Sequence, residues 1–145
     1  KAINDKYGHS AGDEVLKKVG ETLVRSTKST SALSGRHSQY PDFSIRWGGD
    51  EFIVILQNTT CESAIKIVRR LQDEISRIRY KELSISASVG MLDSSYLMKR
   101  REAGAFDMFE EIDQLLYTSK DQRGSLSYVD ASSSLKCVQL TAKQK

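Results

Sequence analysis

Between two apolar runs, the stretch Arg46-Trp47-Gly48-Gly49-Asp50-Glu51-Phe52 sets two glycines beside two carboxylates. Glycine at Gly48 and Gly49 permits positive φ and removes the Cβ atoms that would hold a ligand off the backbone, so a phosphate can come close. The carboxylates of Asp50 and Glu51 are hard oxygen donors, suited to Mg²⁺ or Mn²⁺ bridging to a nucleotide triphosphate, and the pair could help deprotonate a hydroxyl. Gly-Gly-Asp is also a good turn sequence in its own right, with the carboxylates keeping the tip solvated.

A second constellation lies in Lys1 to Leu16. Lys1, Asn4, His9 and Asp13 are spread over an expected loop, punctuated by Gly8 and Gly12, that runs into a helix N-terminus. Asn4 carries donor and acceptor atoms and Asp13 accepts two hydrogens, which together match the N1–H and amino donors and the acceptors along guanine's edges. Lys1 offers a mobile charge to phosphate. Each residue has an ordinary use as well: Asn4 and Asp5 form turns, Asp13 suits the first turn of a helix, and His9 packs or caps.

The elements that must position these groups alternate. Val15, Leu16, Val19 and Leu23 recur with helical spacing from Ser10 onward. A Ser- and Thr-rich stretch ending at the only proline, Pro41, reads as a long surface loop. Residues 42–47 and 51–56 read as the strands of a hairpin. Thr59 and Glu62 form a capping-box pattern ahead of a helix carrying Ala64, Val68, Leu71, Ile75 and Ile78. Leu83, Ile85, Ala87 and Val89 alternate as one strand, Phe106, Phe109, Ile112 and Leu116 mark a third helix, and a short strand spans 125–129. The order is helix, strand, strand, helix, strand, helix, strand. It predicts an α/β domain over residues 1–131, with helices around an at least partly antiparallel sheet, followed by a polar tail at 132–145. No strand precedes the first helix, so a missing N-terminal strand is expected.

Composition removes other classes. The 22 basic and 19 acidic residues are mixed along the chain, so the net charge of +3 makes no basic stripe for nucleic acid. Cys61 and Cys137 match neither a metal-ligand spacing nor a disulfide framework, which favours a reducing, cytoplasmic setting. No apolar run reaches the roughly 18 residues of a membrane span, and the first residues lack the apolar core of a signal peptide.

Lys-x-x-Asn-Asp-x-x-Gly-His-x-x-Gly-Asp-x-x-Leu at residues 1–16, followed by Arg46-Trp-Gly-Gly-Asp-Glu-Phe52, resembles the GGDEF family of diguanylate cyclases. Ser88-Val89-Gly90 and Asp113-x-x-Leu116-Tyr117-x-x-Lys120 are similar to that family's later signatures, in the same order. The resemblance implies a fold related to nucleotidyl cyclases and polymerase palms, with a central, mixed and largely antiparallel sheet. It implies condensation of two GTP into cyclic di-GMP and two pyrophosphates by a homodimer, each 3′-hydroxyl attacking the other nucleotide's α-phosphate. It further implies that Asn4 and Asp13 bind guanine, His9 lines the site, and Lys1 and Lys120 meet phosphates. Asp50 would ligate Mg²⁺ and activate the 3′-hydroxyl, with Glu51 a neighbouring ligand or orienting group. An upstream sensor or receiver domain is implied too. The alternative is an inactive module that binds GTP, cyclic di-GMP or a protein partner.

Three departures refine these expectations. The family's metal-binding Asp on the strand before Lys1 falls outside residues 1–145, so this stretch alone is expected to have little cyclase activity. Gln39 and Asp42 stand where many members carry the Arg-x-x-Asp of a product site; Gln lacks the charged fork of Arg, so weak product inhibition is expected unless Arg36 substitutes. The family's closing Gly-Arg is reversed at Arg123-Gly124, and no substrate role is assigned to Arg123.

Overall fold

The computed structural model describes residues 1–33, 41–99, 104–121, 124–129 and 135–138. They form two compact units, Lys1–Ile85 and Ser86–Lys145. The first contains α1 (Ala2–Tyr7), α2 (His9–Leu33), β1 (Phe43–Gly48), β2 (Glu51–Ile55), α3 (Cys61–Ser76), β3 (Arg79–Tyr80) and β4 (Leu83–Ser84). The second contains β5 (Val89–Leu92), α4 (Ser94–Lys99), α5 (Ala105–Asp121), β6 (Leu126–Val129) and β7 (Leu135–Val138). The α/β class is as expected and the sheets are mostly antiparallel. Among the described residues the strands lie in three small sheets, β1–β2, β3–β4 and β5–β6–β7, rather than in one central sheet. No described helix is long and apolar enough to cross a membrane.

In the first unit, Ala11, Val15, Val19 and Leu23 of α2 and Ala64, Ile67, Val68, Leu71 and Ile75 of α3 are buried. Each Val, Leu or Ile so buried contributes about 1.5–3 kcal/mol. Leu16, expected on the same face, is only half-buried and looks toward the hairpin. α2 also runs on to Leu33, through the first part of the expected loop. Ser26 and Thr27, poor helix formers by propensity, are buried there at 3% and 2% exposure. Thr27 Oγ1 donates back to the Leu23 carbonyl at 3.0 Å and Ser26 Oγ to Glu74 of α3. Arg70 Nη2 donates to the Ser26 carbonyl at 3.1 Å. Tertiary packing thus overrides local preference. The cap of α3 is Thr60, which accepts from Ser63 N at 3.3 Å, so the capping box expected at Thr59 and Glu62 does not form.

The expected strand from Leu83 to Val89 is split. Its first part folds back on Arg79–Tyr80 as the β3–β4 hairpin, while β5 begins only at Val89, in the second unit. That hairpin anchors α1. Lys6 Nζ and Tyr7 OH both donate to Glu82 Oε1. The Tyr7 and Tyr80 rings meet edge to face at 5.6 Å, and Lys81 Nζ stands 4.2 Å from the Tyr7 ring centre. The Lys6 ammonium and the Tyr7 hydroxyl hold the Glu82 carboxyl down at about 2, from an ordinary 4.5. A carboxylate with a depressed folded-state pKa stabilises fully above its unfolded value and ceases to as pH falls through the folded one. The anchor should therefore be intact above about pH 4.5 and released as pH approaches 2. NMR titration of Tyr7 and Glu82 would show this; release already between pH 6 and pH 5 would contradict it.

In the second unit, β5 pairs parallel to β6 from Val89↔Leu126, and β7 pairs antiparallel to β6 from Leu126↔Val138. β6 is buried along its whole length, as the middle strand should be. β7 lies inside the stretch expected to be a polar tail. Alternation in Leu135-Lys136-Cys137-Val138 is enough for a short edge strand once β6 offers its open side. α5 packs on β5 through Gly90. Its buried residues include Leu115 and Ser119, and Ser125 Oγ donates to the Ser119 carbonyl at 3.0 Å.

Candidate functional site

The stretch from Lys1 to His9, expected as a loop running into a helix at Ser10, is itself a short helix and a glycine, and the second helix starts at His9. Lys1 is the N-cap of α1 and is exposed. Gly8 ends α1 at φ 84°, a left-handed conformation that costs a residue with a side chain about 1 kcal/mol or more. Its N–H donates to the Asn4 carbonyl at 2.9 Å. His9, the first residue of α2, is exposed; Asp13 follows one turn later, also exposed. The break at Gly8 turns α1 back along α2, which brings Asn4 onto Gly12. A Cβ at Gly12 would stand 1.9 Å from Asn4 Oδ1. That oxygen is buried and has no hydrogen-bond partner among the described residues. A buried amide acceptor left unpaired costs about 1–3 kcal/mol, and a ligand N–H would relieve it.

β1 and β2 form the expected hairpin, Phe43↔Ile55 to Gly48↔Glu51, with a bulge between Arg46 and Gly48. The turn is Gly49-Asp50, and only Gly49 of the two hairpin glycines takes positive φ, at 52°. Nothing lies within 4 Å of where a Cβ would stand on Gly48 or Gly49, so both backbones face open space. Asp50 and Glu51 are exposed at the tip.

A cleft of about 380 Å³ runs between α2 and this hairpin, lined among others by Asp13, Leu16 and Lys17 on one side and Arg46 and Phe52 on the other. Arg46 ties it to the turn, because its Nε and Nη2 both donate to the Gly49 carbonyl, at 3.1 and 2.9 Å. The structure therefore brings Asn4, Gly12 and Asp13 together, and joins the Gly48–Glu51 turn to the Asp13 cleft through one guanidinium. Arg46 and Lys17 were missed as site residues. The signals were available: an arginine directly before the glycine turn, and a lysine four residues after Asp13 on the same helical face.

Lys120 lies on α5 in the second unit and is exposed. Gln39, Arg36 and Arg123 lie outside the described residues. Asp42 Oδ1 accepts from Gln57 N at 2.8 Å, so it helps close the base of the hairpin. Among the described residues no three His, Cys, Asp or Glu side chains gather as a metal cage. Two adjacent, exposed carboxylates do fit Mg²⁺, which is usually held by one or two carboxylates with water and substrate phosphate completing the shell.

Comparison with known proteins agrees with the motifs. The family model described as "Diguanylate cyclase, GGDEF domain" matches residues 1–125. Diguanylate cyclase A of Treponema denticola is 34% identical over 124 residues, covering 83% of this chain and 29% of that protein. Diguanylate cyclase DgcS of Shewanella oneidensis is 30% identical over 120 residues, covering 83% of this chain and 35% of that protein. The chain thus spans about a third of the length of these curated relatives. In fold it is similar to the active GGEEF domain of a diguanylate cyclase from Vibrio cholerae, with TM-score 0.57, 24% identity, and coverage of 88% of this chain and 74% of that one.

Proposed function

Because the chain belongs to the GGDEF, diguanylate cyclase, family, we propose that it is a diguanylate cyclase domain that condenses two GTP into cyclic di-GMP and two pyrophosphates. One arrangement carries the reading: a cleft lined by Asp13 and by Arg46, which fastens it to an exposed Gly-Gly-Asp-Glu turn, with the unpaired Asn4 oxygen packed against the adjoining Gly12. Asn4 and Asp13 accept guanine's N–H donors. The open backbones of Gly48 and Gly49 let the triphosphate lie against the turn, and Lys1 and His9 meet its charge. Mg²⁺, or Mn²⁺ in its place, would be held by Asp50 and Glu51 with the phosphates, and would supply neutralisation of their charge. Asp50 accepts the proton of the 3′-hydroxyl. The 3′-oxygen then bonds to the α-phosphorus of a second GTP, and the bond to pyrophosphate breaks. The product contains this linkage twice, so two domains facing each other about a two-fold axis make it, each presenting one GTP. This chemistry belongs in the cytoplasm, where GTP is available, under an upstream sensor or receiver domain.

The direct test is Asp50→Ala in the full-length protein, with the strand expected before Lys1 present, supplied with GTP and Mg²⁺. Cyclic di-GMP formation should fall by at least about a hundredfold, with thermal denaturation little changed because Asp50 is exposed. Undiminished synthesis would sink the assignment. A second reading is a module that binds nucleotide without turnover, which needs the cleft beside Asp13 and not the carboxylates of the turn. GTP binding by calorimetry with no product after prolonged incubation would select it.

A further inference from the structure

Guanine presents three N–H donors on its N1 and 2-amino positions, and one acceptor, the 6-oxo group, beside them. On the reading of the cleft as a GTP site, Asp13 and the buried Asn4 Oδ1 are both acceptors and serve the donors. Neither serves the 6-oxo oxygen, which loses its water when the base enters and costs affinity unless a donor replaces it.

The cleft wall contains two cations, Lys17 and Arg46. Arg46 has Nε and Nη2 committed to the Gly49 carbonyl. The neighbouring Lys18 points elsewhere and pairs with Glu14 at 2.7 Å. Lys17 makes no ion pair among the described residues. It lies one helical turn beyond Asp13, on the same face of α2, a spacing of about 5–6 Å between Cβ atoms that sets a donor next to an acceptor. A carboxylate followed at that distance by an ammonium repeats, in reverse polarity, the N1–H and 6-oxo edge of guanine. Adenine presents an acceptor at N1 and a donor at its 6-position, so the same pair meets it with like polarity at both places.

We propose that Lys17 is a specificity-determining residue of this site, donating from Nζ to the 6-oxo oxygen of the guanine held by Asp13. The proposal rests on the GTP reading of the cleft.

Calorimetry with 3′-deoxy-GTP, which lacks the attacking hydroxyl, and with its 6-thio analogue separates the two. Sulfur is a weaker hydrogen-bond acceptor than oxygen. Lys17→Met, a change between good helix formers on an exposed surface, should weaken 3′-deoxy-GTP by about tenfold or more and the 6-thio analogue much less. Lys17→Arg should restore most of the difference. Equal loss for both nucleotides, or no loss, would overturn the role of Lys17. Asp13→Asn then decides about the site itself. If it weakens 3′-deoxy-GTP while Lys17→Met shows no 6-oxo dependence, only the Lys17 assignment fails. If both variants bind as wild type, or wild type does not bind, the reading of the cleft fails with it.

Discussion

Gly90→Ala is expected to destabilise the second unit by about 2–3 kcal/mol. A Cβ there would stand 2.6 Å from the backbone N of Leu116, 2.8 Å from the Ile112 carbonyl oxygen and 3.1 Å from the Leu115 carbonyl carbon. All three are backbone atoms in the middle of α5, so no side chain can turn aside. The helix must move off β5 or the strand must bend, and either change disturbs buried Leu115 and Ser119. Hydrogen exchange in the full chain would show it as faster exchange of α5 and β5 amides, with α2 and α3 much less affected. Unchanged protection of α5 would contradict the prediction.

Gly12→Ala should have the opposite character, leaving the fold intact and weakening GTP binding by about ten- to a hundredfold. Here the new Cβ meets only a side chain: Asn4 Oδ1 at 1.9 Å, Cγ at 2.9 Å and Nδ2 at 3.2 Å. Asn4 can rotate away at small cost, and alanine in a helix interior is favoured over glycine by about 1 kcal/mol. The midpoint of thermal unfolding should therefore hold or rise while the guanine-binding amide leaves its place. Calorimetry with GTP, beside a denaturation curve, separates the two effects. Wild-type affinity in Gly12→Ala would show that Asn4 does not bind the base from this position.

How far the sequence could be read depended on whether an element's signal was local. The hairpin was legible because strand-forming residues flank a glycine turn, and helices α2, α3 and α5 because their apolar residues keep helical spacing over several turns. The run of α2 through Ser26 and Thr27 was not, since its cause is burial against α3 and a hydrogen bond to Glu74, partners 48 residues away for Ser26. β7 was hidden for a similar reason: four residues of weak alternation become a strand only because β6 offers an edge. At the site, residue types identified Asp13, Asp50 and Glu51 as chemically interesting. They could not show that Lys1 to Leu16 folds as two helices broken at Gly8, nor that Arg46 bridges cleft and turn, because both depend on spatial return of the chain.

α1 has no buried residue; its six residues are held by the exposed contacts to Glu82 and by packing against α2. Such a segment sits near the low end of the local stability scale, where opening takes little free energy. Every opening carries Asn4 away from Gly12, so the nucleotide meets a population of sites of which only the closed fraction is complete. Apparent affinity is then the intrinsic affinity scaled by that fraction. Anything that firms the short helix, including a neighbouring segment of a longer chain laid against it, would tighten nucleotide binding without touching the nucleotide.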